Sequence, residues 1–259
     1  MDAKDPKAND SDSDSSTAEG KSSGNGDGDG DRRDAERRFH EALRTLRVWD
    51  TLLPGFDPAD APDDPVALFH TWFTGAVDAG AVEPHTLSLA TVDQDGRPDI
   101  RTVMLHGADA RGWHFASHAG SAKGRQLADR PEAALGFYWP AQGRQVRVRG
   151  PVTTGSREDA YADLHARTPG ALASALVGHQ SEILGSLDTL AWASAAAWDR
   201  ALREPEAHAE SWTLYVVEPT EVEFFQGDER RRHVRLRYRR ADGGDEGNGG
   251  GWVRELLWP

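Results

Sequence analysis

Two basic residues and two hydroxyl-bearing residues lie close together in the sequence between positions 101 and 123. The sequence predicts an apolar strand with Arg101 at its start and, after a turn, a second strand that contains Ser117. A short helix then begins around Ser121 and Lys123. Backbone N–H groups at a helix start, together with hydroxyls and a lysine, suit a phosphate. We therefore expect these four residues to gather at one end of a β-hairpin and to capture an anion.

The composition limits the class of protein. The chain has 259 residues, no cysteine and a formal net charge of −13. Without cysteine there is no disulfide, zinc–thiolate site, iron–sulfur cluster or thiol nucleophile, which fits a reducing cytoplasm. The negative net charge argues against a nucleic-acid partner. No apolar run approaches the roughly 20 residues of a membrane span. We expect a soluble cytoplasmic protein with neither a nucleic-acid nor a membrane partner.

The chain divides into three predicted segments. Residues 1–34 are acidic and contain no aromatic or branched aliphatic residue, which predicts a disordered tail. A partner-binding role is the alternative to a plain solvating role for this tail. Residues 35–63 are predicted to form an N-terminal helix, with Phe39, Leu43 and Leu46 at helical spacing, and a connector. Residues 64–259 are predicted to form the folded domain.

The folded domain begins with a helix capped by Asp64. Its apolar stripe indicates core packing rather than a cofactor wall and consists of Val66, Phe69, Trp72, Phe73 and Ala76. Alternating segments then predict strands over Thr86–Val92, Pro98–His106, Trp113–His118, Ala133–Trp139, Arg144–Thr154, Ser211–Val217, Glu221–Gln226, Val234–Arg240 and Trp252–Trp258. Further helices are predicted over Ser121–Arg130, Ser156–Ala166, Ala171–Val177 and Leu184–Leu202, and a hairpin tip over Gly243–Gly251. The predicted fold class is mainly β with helices, an antiparallel, Greek-key-like β-barrel split by a helical insertion.

A series of short motifs runs through the folded domain in a fixed order. They are Leu89-Ala-Thr-Val-Asp-x-x-Gly-Arg-Pro98, Arg101-x-Val-x-Leu105, Gly120-Ser-x-Lys123, Arg144-Gln-Val146, His165-x-Arg167, Gln180-Ser181, Glu223-Phe-x-Gln-Gly227 and Arg231-x-His-x-Arg235. Each motif is weak alone, but their joint order from about Asp64 to Pro259 is specific. Together they resemble the pyridoxine/pyridoxamine 5′-phosphate oxidase family, the FMN-binding split barrels. The resemblance implies a homodimer with FMN in a cleft between the subunits.

The same resemblance implies a set of cofactor-binding residues. Those matched to the FMN phosphate are Arg101, Ser117 and Lys123. The others matched to the cofactor are Thr102, Val103, Met104, His106, Ala116, Ser121, Gln145, Gln180, Ser181, Phe225 and Arg235, where Phe225 replaces a flavin-contacting Trp. Ala122 replaces an Arg that helps to bind the phosphate in the family. Loss of one charge-assisted contact costs about 1.5–3 kcal/mol, which predicts looser FMN binding.

The substrate side departs further from the vitamin B6 oxidases. Their substrate phosphate is held by a Lys, a Tyr, an Arg and a Ser, and the matching residues in this chain are His106, Asp163, Arg167 and Ala171. Arg231 and His233, which approach the substrate ring in the family, are both present and are the predicted catalytic residues. The predicted substrate-binding residues are His106, Arg167, Arg231 and His233.

This pattern, together with the local sequences of Phe115–Leu127 and Gln180-Ser-Glu182, resembles the phenazine-biosynthesis branch of the family. The resemblance implies oxidation of a reduced aromatic substrate of dihydrophenazine type, with O2 taking the electrons from FMN. Two alternatives remain open: a pyridoxine 5′-phosphate oxidase with a rebuilt phosphate pocket, and a flavin-binding protein without turnover.

Several of these residues also allow a purely structural interpretation. Arg231 and His233 lie in a strand crowded with arginine and could be solvated, and His106 could be an acid–base residue or a polar strand end. His114 and His118 could be metal ligands with His106, but no carboxylate has the spacing to complete the set, so no metal is predicted. The Ser121 hydroxyl lacks nucleophile partners and is better interpreted as a helix cap.

Overall fold

The structure is a computed structural model and describes residues 27–49, 52–241 and 251–259. Two compact units follow each other along the chain, one ending at Val48 and one beginning at Trp49. Most of the predicted disordered tail and all but the last residue of the predicted hairpin tip at Gly243–Gly251 lie outside the described residues. No helix within the described ranges combines the length and hydropathy needed to cross a membrane.

The first unit contains helix α1, Asp27–Thr45. Arg37 pairs with Asp34 at 3.0 Å and lies 3.9 Å from Glu41, and such i,i+3 and i,i+4 pairs stabilise a polar helix. Helix α1 also includes residues 27–34, so the prediction of a disordered tail is wrong for these residues. Phe39 and Leu43 lie on this helix as predicted, whereas Leu46 follows its last residue.

In the described part of the second unit, ten strands form one sheet. They are β1 (Thr86–Val92), β2 (Pro98–Met104), β3 (Gly107–Asp109), β4 (Gly112–His118), β5 (Glu132–Trp139), β6 (Arg144–Thr154), β7 (Trp212–Val217), β8 (Glu221–Gln226), β9 (Val234–Arg240) and β10 (Trp252–Leu257). The strand order is β10-β9-β8-β6-β5-β1-β2, with a second branch β6-β7-β4-β3, and each pair is antiparallel. The predicted split β-barrel fold is confirmed.

Strand β6 joins the two branches because it is long enough to pair with different neighbours at its two ends. Its first residues pair with β8, and Val152–Thr154 pair with β7. The sheet therefore curls around its own core, which holds the aromatic residues Trp113, Phe115, Phe137 and Phe224. Burying apolar side chains in this way is the main favourable term in folding.

Five α-helices and two short 3-10 helices, Pro58–Asp60 and Pro140–Gln142, accompany this sheet in the described part of the unit. The α-helices are α2 (Pro65–Asp78), α3 (Ala122–Asp129) and the insertion helices α4 (Arg157–His165), α5 (Pro169–Val177) and α6 (Leu187–Arg203). Phe69, Trp72 and Ala76 of α2 are buried in the barrel core, so the core interpretation of this stripe is confirmed. Ser156 and Asp159 form a capping box at the start of α4, and Leu164 of that helix packs with Leu172 of α5 in a second, smaller core.

The predicted hairpin between the Arg101 strand and the Ser117 strand is wrong. Strand β2 pairs with β1, whereas β4 pairs with β3 and β7. Part of the turn expected before the Ser117 strand is itself a strand, because Gly107–Asp109 form β3 and pair with one edge of β4. The other edge is taken by β7, more than 90 residues away in sequence, and local patterns do not reveal such a pairing.

Candidate active site

An open cavity of about 1290 Å³ lies between strand β2, the junction of β4 with α3, and the helical insertion. Many of the predicted site residues line it, namely Arg101, Thr102, Val103, Met104, His106, Ala116, Ser117, Lys123, Arg167, Gln180 and Ser181. Three of the four residues predicted to bind an anion, Arg101, Ser117 and Lys123, thus lie on one wall of the cavity although their strands do not form the predicted hairpin. A cavity of this size fits a cofactor or a small-molecule substrate.

Lys123 is the central charged residue of this wall. It lies in the first turn of α3, and its ammonium group donates hydrogen bonds to Ser117 Oγ at 2.9 Å and to Gln180 Oε1 at 3.0 Å. Its side chain is buried, and no carboxylate among the described residues lies within ion-pair distance of it. Burial, followed by the positive charge of Arg101, lowers the pKa of Lys123. A buried cation with only neutral hydrogen-bond partners is suited to receive an anion.

A glycine fixes the approach of α3 to the strand that precedes it. A Cβ atom at Gly124 would lie 2.2 Å from the Ala119 carbonyl oxygen, so only glycine permits this close packing. Ser121 caps the same helix by accepting a hydrogen bond from Gly124 N at 3.2 Å. Ser121 is fully buried and does not line the cavity, so its side chain has the capping role rather than a direct contact with a cavity ligand.

Arg101 is held against the edge of the cavity by several acceptors. Its guanidinium donates to Asp99 Oδ2 at 2.5 Å, to Thr91 Oγ1 at 2.5 Å and to Gln126 Oε1 at 2.9 Å. The hydrogen bond from Gln126, together with Arg101, lowers the pKa of Asp99, which is therefore ionised near neutral pH. These contacts orient Arg101, and Asp99 partly offsets its charge.

The segment 178–181 lines the cavity next to α3. Its residues His179 and Ser181 have positive φ angles of 52° and 74°, a conformation that costs a non-glycine residue about 1–3 kcal/mol. Ser181 Oγ accepts a hydrogen bond from the backbone N–H of Ala122 at 3.1 Å. Ala122, the position that departs from the family, thus donates its backbone N–H to the predicted flavin-binding pair.

His106, Asp163 and Arg167 form a connected group on another part of the cavity wall. His106 Nδ1 lies 2.7 Å from Asp163 Oδ1, and Arg167 Nη2 lies 3.6 Å from the same oxygen. Burial alone would raise the pKa of Asp163, but the hydrogen bond and charge of His106, with the charge of Arg167, outweigh it and lower the pKa. Sequence spacing gave no sign of this contact, because His106 and Asp163 are 57 residues apart.

A second group of predicted residues does not line this cavity. Gln145, Phe225 and Arg235 lie side by side on β6, β8 and β9, where Gln145 is paired with Phe225 and Phe225 with Arg235. Arg235 donates to both carboxylate oxygens of Glu223, at 2.9 Å and 3.1 Å, and to the Trp258 carbonyl at 2.9 Å. Within one chain, the cofactor residues inferred from the motifs therefore fall into two separate surfaces.

The predicted catalytic residues belong to this second group. His233 Nδ1 accepts a hydrogen bond from the Asp228 backbone N–H at 3.0 Å, so the neutral ring carries its proton on Nε2. Arg231 is exposed and has a positive φ of 63°. The Trp49 ring, which carries no motif in the sequence, lies 5.1 Å from the His233 ring and 6.3 Å from the Phe225 ring.

The candidate metal ligands each have a different local partner. His114 Nε2 lies 3.1 Å from Asp109 Oδ1, and His118 Nδ1 lies 2.8 Å from Ser211 Oγ. Burial, and then the charge of Lys123, lower the pKa of His118. Among the residues that the structure describes, no group of three or more His, Asp or Glu side chains is placed to hold a metal ion.

Comparison with known proteins identifies two matching families along the chain. Residues 73–224 match the family described as pyridoxamine 5′-phosphate oxidase. Residues 212–259 match the pyridoxine 5′-phosphate oxidase C-terminal dimerisation region. The barrel and the second group of residues therefore fall within regions that the family defines.

Individual relatives agree with these matches. The pyridoxine/pyridoxamine 5′-phosphate oxidase of Pseudomonas fluorescens SBW25 is 40% identical over 221 residues, which cover 85% of this chain and 99% of that protein. The oxidase of the same name from Salinibacter ruber is 41% identical, with coverage of 76% and 90%.

Solved structures extend the comparison to the fold. PhzG from Burkholderia lata 383, in complex with tetrahydrophenazine-1-carboxylic acid, superposes with a TM-score of 0.73 at 29% identity and covers 80% of this chain and 99% of its own. The motifs, the fold and these relatives agree. The chain belongs to the pyridoxamine 5′-phosphate oxidase family and is a flavin-dependent oxidoreductase.

Proposed function

We propose that the protein binds FMN and uses it to oxidise a reduced heteroaromatic compound of the dihydrophenazine type, with O2 as the final acceptor. The observation that carries the cofactor assignment is Lys123, a buried ammonium group with no carboxylate partner among the described residues. Arg101 and Ser117 line the same wall of the cavity. A phosphate oxyanion bound here would supply the negative charge that balances the Lys123 ammonium group.

The residues of this wall fit the phosphate end of FMN. Lys123, Ser117 and Arg101 supply donors, and the start of α3 adds the positive end of a helix dipole. Asp99 partly neutralises Arg101, and Ala122 supplies no side-chain charge. Both features favour weaker FMN binding than a site with an additional arginine would give.

The remaining cofactor contacts are proposed to come from a second copy of the chain. Gln145, Phe225 and Arg235 form a surface separate from the Lys123 wall, and the chain contains the family's dimerisation region at residues 212–259. A symmetric dimer would bring the Lys123 wall of one subunit to the second surface of its partner, twice. In this arrangement FMN lies between the subunits.

The group around His106 supports a substrate without a phosphate. Asp163 is a buried, ionised carboxylate that takes part of the charge of Arg167 and would repel a phosphate dianion. The structural relative PhzG binds a tetrahydrophenazine carboxylic acid, which has a single carboxylate and a fused ring system. The exposed cation Arg231 is free to attract such a carboxylate.

When bound, FMN would supply the two-electron chemistry, and the protein orients the reactants. Arg231 would hold the carboxylate or a polar edge of the ring. His233 is fixed by the Asp228 backbone N–H, so its Nε2–H would donate to the substrate. Trp49 and Phe225 pack against the His233 ring and help to hold its orientation.

A second function is supported by a specific observation. The curated relatives at about 40% identity are named pyridoxine/pyridoxamine 5′-phosphate oxidases. The phosphate of a B6 vitamer would then have to be held mainly by Arg167, since His106 and Asp163 are hydrogen-bonded to each other.

Oxygen uptake by the FMN-loaded protein distinguishes these functions. We expect peroxide production with a dihydrophenazine carboxylate and little or none with pyridoxine 5′-phosphate. The reverse preference would establish the B6 oxidase. Full flavin loading without oxidation of either compound would instead indicate a binding protein and contradict both enzyme assignments.

A further inference from the structure

His106 and Asp163 form a buried pair whose histidine faces the cavity. The side chains are 6% and 12% exposed, and His106 Nδ1 lies 2.7 Å from Asp163 Oδ1. The second oxygen, Oδ2, accepts from the Trp212 indole N–H at 3.4 Å. His106 lines the cavity, whereas Asp163 does not, so the carboxylate lies behind the imidazole.

This geometry determines which nitrogen of His106 carries the proton. An ionised carboxylate can only accept hydrogen bonds, so the proton of the neutral ring lies on Nδ1. Nε2 then has a free lone pair. No described residue hydrogen-bonds to Nε2, and this atom is not buried without a partner, so it is accessible from the cavity. The arrangement is that of a general base oriented by a carboxylate.

We propose that His106 accepts the proton that the substrate loses during oxidation and that Asp163 is its positioning residue. This proposal rests on the proposed oxidase function. The flavin, when bound, would take one hydride from the substrate, with its two electrons. An adjacent N–H or O–H bond breaks, its electron pair enters the new double bond, and its proton bonds to Nε2. The charged ring is stabilised by Asp163 and later releases the proton to water.

The chain contains a matched control for this pair. His114 and Asp109 form another histidine–aspartate contact, at 3.1 Å, and neither residue lines the cavity. Asp163→Asn and Asp109→Asn therefore make the same chemical change, one behind the cavity histidine and one away from it. In Asp163→Asn the amide can donate to Nδ1 and move the ring proton to Nε2.

The first measurement needs no substrate. In the pH range where the His106 ring is neutral, ¹⁵N NMR of the wild-type FMN-bound protein should show it protonated on Nδ1 and unprotonated on Nε2, and Asp163→Asn should change this state. A wild-type ring protonated on Nε2 alone would overturn the proposal, whatever the substrate is. The His114 signals report on the control variant in the same spectra.

The second measurement is the limiting rate of flavin reduction in anaerobic stopped-flow. We expect Asp163→Asn to lower this rate by about 10²–10⁴-fold, with FMN affinity unchanged and Asp109→Asn at the wild-type rate. The rate is measured with a dihydrophenazine carboxylate and with pyridoxine 5′-phosphate. The role of the His106–Asp163 pair is tested with whichever compound reduces the flavin. The result therefore does not depend on which compound is the natural substrate. An unchanged rate in correctly folded Asp163→Asn would overturn it.

Discussion

The Lys123 ammonium group lies 3.0 Å from the side-chain oxygen of Gln180, a residue 57 positions further along the chain. Lys123 belongs to the barrel's helix α3, and Gln180 to the insertion between β6 and β7. Ser117 hydrogen-bonds to both of them, at 2.9 Å in each case. The insertion therefore completes the Lys123 wall, and the proposed phosphate site is hydrogen-bonded directly to the predicted flavin-binding pair 180–181.

The buried carboxylate of Glu223 makes the stability of the barrel depend on pH. Arg235 forms a two-pronged hydrogen bond to it, and Arg147 pairs with it as well. Burial alone would raise the pKa of Glu223, but these arginines outweigh it and lower the pKa below its usual 4.5. Because the pKa is lower in the folded state, this stabilisation is present above about pH 4.5 and is lost as the pH falls through the folded-state value.

We therefore predict that Glu223→Gln lowers the free energy of unfolding by about 1–3 kcal/mol at pH 7. The difference from wild type should shrink as the pH falls below about 4.5, since the wild-type carboxylate becomes protonated. Urea denaturation of the FMN-free protein across this pH range measures both effects. The exposed Glu229→Gln serves as the control. A Glu223→Gln effect that is constant with pH would contradict the prediction.

Mixed dimers test whether the two surfaces of one cofactor site come from different subunits. Lys123→Met and Gln145→Leu should each weaken FMN binding in homodimers, since each removes a polar group proposed to contact the cofactor. In a mixed dimer, one site carries both substitutions and the other carries neither, so about one FMN per dimer should bind tightly. Differently tagged chains allow the mixed dimer to be purified and titrated by flavin fluorescence. If no tight site appears, the two groups do not meet across the interface.

The substrate pocket should be convertible to one that binds a phosphate. Combining His106→Lys, Asp163→Tyr and Ala171→Ser provides the residue types that the B6 oxidases have at these positions. Removing the carboxylate and adding charged and hydroxyl donors should tighten pyridoxal 5′-phosphate binding by about tenfold or more. Equilibrium binding followed by absorbance measures the change. His208→Lys, an exposed substitution outside the cavity, controls for added charge alone. Unchanged binding would show that the phosphate preference is set elsewhere.

Local sequence patterns predicted most of the individual elements. Alternation alone places β1, β6, β8 and β9 at the bounds that the structure has. The pairing of β4 with β7 was not predicted, because it joins segments that are distant in sequence. Strand β3 was missed since three residues, one of them glycine, carry no alternation signal.

The candidate site was predictable where it follows motifs and unpredictable where it depends on contacts between them. Arg101, Ser117 and Lys123 were selected from charge and helix-start chemistry, and the structure places them on one cavity wall. The His106–Asp163 pair could not be found in this way, because neither residue has a distinctive neighbour in sequence. Trp49 likewise reaches Phe225 and His233 only through the folded chain.

Arg101 and Lys123 are proposed to hold the phosphate of FMN, and the FMN dissociation constants of single and double variants test this role. Each charged hydrogen bond contributes about 1.5–3 kcal/mol, so Lys123→Met and Arg101→Gln should each weaken binding by about 10-fold or more. The double variant should bind weakest, whereas the exposed Arg97→Gln and Arg111→Gln should bind FMN as wild type does. Wild-type FMN affinity in the folded double variant would contradict the account.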